Sequence, residues 1–238
     1  MKKWLVNFLR TLAGLLLLFL TAGLLWTLAA LPKPYSLENQ LLPFLLSFAA
    51  GGVWFTFVSR LQVFYVFGHE LTHWFAAKLF LRHTGDLKVS TKGGSVAVQN
   101  PNLWITLAPY FVPFYTLAWL LVYAIFRFAY GPPTALVQKL LFAGCGLTFA
   151  FHAVLTVQSL LQEQADLKAH GRFPSLALIL FFNTLFVSAG MLTVGGQWRA
   201  GADLYVNRLG LEWRGVAGAV EWLYEAGLAT AGWLQGWL

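Results

Sequence analysis

LQVFYVFGHELTHWFAAKLFL, residues 61–81, is the stretch on which the reading of this chain turns. It is an apolar run into which two imidazoles and a carboxylate, His69, Glu70 and His73, have been set. Such groups are costly among hydrocarbon neighbours unless they carry chemistry. On a helix His69 and His73 stand four residues apart and project from one face. Both can then hold one Zn²⁺ while Glu70 serves as general base to a water that the metal activates. With five His and six Glu in 238 residues, chance yields His-Glu-x-x-His in roughly three of a thousand shuffles. Two hydrogen-bonded core histidines would be the plain alternative, but that explanation gives no reason for Glu70 between them.

Outward from the motif, the chain is 58% hydrophobic and 11% charged, with 21 Phe and 11 Trp. A soluble domain of this length could not carry that composition on its surface. The expected fold is an all-α membrane protein, a polytopic bundle of about six transmembrane helices of roughly 20 residues each. It forms a single polytopic membrane domain over residues 1–238. The net charge of +7 is scattered over loop ends and lacks the clustered basic and aromatic pattern of a nucleic-acid binder. It is shared too evenly between the two sides of the bundle to fix an orientation. Cys145 has no second cysteine to pair with and reads as a small packing residue.

The first span runs from Met1 to about Leu31. Its basic start, Lys2, Lys3 and Arg10, raises the question of a signal peptide, but its length and the lack of a small-residue cleavage pattern favour a retained helix. A turn at Leu31-Pro32-Lys33-Pro34 leads to a second span, Leu41 to Val58, in which Gly51-Gly52 allows close helix approach; Arg60 marks its end. The motif stretch is the third, with Gly68 leaving room beside His69. Residues 82–102 are polar. Within them Leu87–Val89 and Ser95–Val98 alternate around Gly93-Gly94, which predicts a short β-hairpin. That hairpin is either an edge to which a substrate strand adds or a plain connection. Leu103 to Phe128 is the fourth span, kinked by Pro109 and Pro113. Thr134 to about Leu161 is the fifth and Leu176 to Val194 the sixth. The tail, about 205–238, places Glu221 and Glu225 among Trp, Gly and Ala and reads as a C-terminal interfacial helix.

A catalytic zinc takes three protein ligands and keeps one position open, so a third must follow the histidines. Asp86, His152, Glu163, Asp166, His170 and Asp203 are the candidates. On a straight helix His152 would stand about 20 Å from Asp166, too far to share its metal. Asn183 is the one strongly polar residue of the sixth span, suited to a helix–helix hydrogen bond.

HELTH in an apolar helix, the Gly-rich hairpin after it and an acidic residue two spans later resemble the site-2 protease family of intramembrane zinc metalloproteases. In that family the motif helix, one intervening helix and a third helix carrying an Asp ligand make the catalytic core, which corresponds here to about 60–185. The resemblance implies one catalytic zinc held by His69, His73 and Asp166, in Gln162-Glu163-Gln164-Ala165-Asp166-Leu167, with Glu163 as the close competitor. It implies a zinc metalloendopeptidase, with Glu70 catalytic, that cuts peptide bonds within or next to transmembrane segments. Its partners are a membrane-protein or membrane-anchored peptide substrate and the lipid bilayer, with no nucleic acid. Its location is that of a multi-pass protein of a bacterial inner (cell) membrane. Two other readings stand beside it. One is a membrane-anchored zincin working from a soluble face, for which the chain has no room. The other is a catalytically silent membrane scaffold or transporter-like subunit that retains the metal motif.

Overall fold

The computed structural model describes residues 3–31, 35–58, 61–90, 93–162 and 165–235, with side chains up to 226. The Pro32–Pro34 turn, Arg60 and the competing ligand Glu163 lie outside the described residues. The chain is mostly helical, with a single two-stranded hairpin among the described residues. Among the described residues four helices are long and apolar enough to cross a membrane: α1 (Lys3–Ala30), the segment Leu37–Val58, α6 (Ala135–Leu160) and α8 (Arg172–Gly195). Within Leu37–Val58, α2 (Leu42–Val53) is flanked by two π-helical turns, Leu37–Leu41 and Trp54–Val58. A bent pair, α4 (Leu103–Phe111) and α5 (Phe114–Tyr130), brings the count to five if it is taken as one span.

The expectation of about six spans is therefore corrected at two places. The motif helix α3 (Gln62–Leu79) is not among the helices apolar enough to cross, because Gln62, His69, Glu70, His73 and Lys78 dilute its apolar character over 18 residues. The fourth span is broken rather than kinked. Val112 takes an extended conformation before Pro113, as a residue preceding proline tends to, and α5 leaves α4 at 72°.

Small residues set the packing. α1 lies along α8 where Gly14 meets Phe173 and Pro174, and α2 lies along α6 where Gly51 meets Leu147 and Ala150. α4 is the most enclosed element. Its Asn102 side chain caps the Ile105 N–H at 2.9 Å, and the six residues from Ile105 to Tyr110 are all buried. A core of Leu107, Tyr110, Leu178 and Ile179 takes in Leu167 from α7 (Ala165–His170), a separate six-residue helix. α9 (Trp198–Gln235) is one helix of 38 residues, beginning before the tail anticipated at about 205. Near its start Tyr205 donates to the Leu20 carbonyl of α1, and the Arg208 guanidinium lies over Trp26.

The hairpin forms as anticipated, from β1 (Thr84–Ser90) and β2 (Gly93–Val98), antiparallel with Leu87 opposite Val96 and Ser90 opposite Gly93. Gly93 and Gly94 belong to β2 rather than to the turn. A bulge follows Thr84 in β1, where Gly85 and Asp86 together face the single residue Ala97.

Candidate metal centre

α3 starts at Leu61, which holds a left-handed conformation at φ 46°, and carries His69 and His73 on one face one turn apart. Their rings meet edge to face at 4.9 Å between centroids. The third member arrives from α7. One ligand atom each from His69, His73 and Asp166 lies within 4.8 Å of the others, and no other group of three potential ligands is found among the described residues. His73 Nε2 is 3.8 Å from Asp166 Oδ2.

Asp166 thus lies beside the two histidines, although not at the end of the fifth span, where it was expected. α6 stops at Leu160, and the carboxylate belongs to the next helix. Asp86 stands at the hairpin bulge, Asp203 on α9 and His170 at the end of α7; none joins the group. Burial and the Arg10 guanidinium together hold His170 below the usual histidine range, against the opposing pull of Asp166.

The donor set fits a divalent cation of the zinc type, two imidazoles and one carboxylate. The His73 Nδ1 atom is 2.8 Å from the Ile105 carbonyl. Donation of the ring N–H to that oxygen fixes the tautomer and leaves Nε2 with its lone pair toward Asp166. His69 Nδ1 is buried without a hydrogen-bond partner among the described residues, an expensive arrangement in the absence of something that ties down the ring. Tyr110 donates from Oη to Asp166 Oδ2 at 2.9 Å, and its ring stands edge-on to His69. α4 contributes no ligand, yet it holds two of the three. Sequence reasoning missed Ile105 and Tyr110. Neither carries a signal in its own neighbourhood, since a main-chain carbonyl and a tyrosine among apolar residues are both ordinary.

The polar pair of the later helices is joined. His152 Nε2 lies 3.2 Å from Asn183 Oδ1, and Asn183 Nδ2 donates to the carbonyls of Tyr110 and Ile179. Asn183 is thus a helix–helix hydrogen-bonding residue, and through it the buried His152 is tied to the residue that holds Asp166.

Glu70 faces the hairpin. A Cβ on Gly94 would come within 2.8 Å of Glu70 Cγ and 2.5 Å of Val66 Cγ1, so β2 lies directly on the motif helix. The backbone of Val96 is within hydrogen-bonding reach of the Glu70 carboxylate. A cleft of about 770 Å³, part of it open to the outside, runs past His69 and Glu70 between Gly93-Gly94 and the end of α6. Compared with known proteins, the chain matches no family model, no curated protein and no solved structure.

Proposed function

We propose that this chain is an intramembrane zinc metalloprotease of the site-2 protease kind, a multi-pass protein of a bacterial inner membrane. The observation that carries the reading is the convergence of His69, His73 and Asp166 within 4.8 Å, with Glu70 beside them on a cleft that opens to the outside. The apolar outer surface supports the membrane setting. Phe57, Leu79, Leu81 and Phe128 are each more than four-fifths exposed, an arrangement suited to lipid.

His69, His73 and Asp166 are the residues that would hold the ion. Zinc supplies a more acidic water and a Lewis acid for the scissile carbonyl. Glu70 accepts the proton of the attacking water and returns it to the leaving amine as the C–N bond breaks, so that one carboxylate serves as base and then as acid. Ile105 and Tyr110 keep His73 and Asp166 oriented, and Val96 holds the Glu70 carboxylate toward the cleft. The substrate is a transmembrane or membrane-proximal helix that unwinds locally, because a helical peptide bond is shielded by its own hydrogen bonds.

The test is zinc analysis of the detergent-purified chain, together with cleavage of a transmembrane peptide by the parent and by Glu70→Gln. Zinc in both and cleavage by the parent alone is the expected result. Cleavage by Glu70→Gln, or a chain that takes up no zinc, overturns the reading. Zinc without any cleavage makes the chain the silent subunit instead.

A further inference from the structure

The cleft has an uncommon lining. Among the described residues around it, Glu70 is the one with a formal charge, and the remaining polar side chains are neutral. Three of these are glutamines, Gln62 at the start of α3, Gln158 in the last turn of α6 and Gln162 just past its end. Their side-chain amides make no hydrogen bond among the described residues. Across from them Gly93 and Gly94 present backbone without side chains, and a Cβ added to Gly93 would meet nothing within 4 Å.

A segment pulled out of a helix carries N–H and C=O groups that must find partners, the more so where water is scarce. A primary amide offers two donors and an acceptor and can serve both kinds of group at once. Gln158 stands in the last turn of α6 and Gln162 two residues past its end, and both line the same cleft. The wall therefore offers amide donors and acceptors to a segment that lies along it.

We propose that Gln62, Gln158 and Gln162 form a substrate-binding wall that takes the freed main chain of an unwound polypeptide segment. This rests on the protease reading, yet it is tested by binding rather than by turnover. The probe is a fluorescently labelled twelve-residue peptide of Ser, Thr, Ala and Gly, titrated against the full-length zinc-loaded chain in detergent and followed by anisotropy. Gln158→Met/Gln162→Met keeps the length of both side chains and removes the amides, and it should raise the Kd about tenfold with zinc content unchanged. An unchanged Kd, or no binding by the parent, overturns the wall. A peptide held through the glutamines but never cut leaves the wall standing and removes the protease. Transmembrane substrate cut by the double variant at the parental KM does the reverse.

Discussion

Tyr110 and Asp166, 56 residues apart in the chain, are joined by a 2.9 Å hydrogen bond from the phenol to Oδ2, the same oxygen that stands 3.8 Å from His73 Nε2. One lone pair of that oxygen is taken by the phenol, and the carboxylate is thereby held in one orientation with its remaining lone pairs free for a cation. Tyr110 is fully buried, so water has no ready route to replace the phenol. Tyr110→Phe should weaken zinc binding roughly 10- to 100-fold. Competition with a chromophoric chelator measures this, and equal affinity in parent and variant would reduce Tyr110 to a packing residue.

Asp166→Asn should lose bound zinc, whereas Glu163→Gln should keep it. Metal analysis after gel filtration separates the two. The opposite pattern would transfer the third ligand to Glu163.

Gly94→Ala puts a methyl group against Val66, Glu70 and the Lys88 carbonyl. Crowding of this kind costs about 1–3 kcal/mol, and the strand must lift from the motif helix. Zinc content should hold while cleavage falls, because β2 packs on Glu70, whereas His73 and Asp166 are held by α4. Gly52→Ala, where the added carbon meets nothing within 4 Å, is the matched control, and equal loss in both variants would contradict this account.

Asn183→Leu removes the partner of His152 and a donor to the Tyr110 carbonyl. Leaving buried polar groups unpaired costs about 1–3 kcal/mol, read as a lower melting temperature in detergent. Combined with Tyr110→Phe in a double-mutant cycle on zinc affinity, the two should be non-additive. Strict additivity would mean that the His152–Asn183 pair supports the fold without reaching the metal ligands.

What the sequence disclosed and what it hid follow from the range of the forces involved. α1, α6 and α8 are long unbroken apolar runs, a property each segment carries within itself, and their presence was legible, although α8 begins at Arg172, four residues ahead of the expected Leu176. So was the hairpin, whose alternation and paired glycines are local. The motif helix was overcounted as a span because its apolar residues surround the very groups that make it polar. Pro109 and Pro113 announced a kink in the fourth span, but a 72° break is decided by what α4 and α5 pack against. His69, Glu70 and His73 could be read from spacing alone. Asp166 came from the resemblance to a family, and Tyr110 and Ile105 from neither. Their contacts, with Asp166 and His73, cross 56 and 32 residues of chain, where no periodicity reaches.

α7 has consequences beyond its size. Six residues are too few to hold a helix in isolation, so the element bearing Asp166 is ordered by what it packs against. Its anchor is Leu167, buried beside Leu107, Tyr110, Leu178 and Ile179. The two histidines ride on an 18-residue helix and are in place in advance, while the carboxylate arrives only when a leucine finds its socket. In the proposed zinc site, affinity for the ion would then be in part a hydrophobic quantity, to be tuned by trimming a methyl group from a side chain that is not itself a ligand.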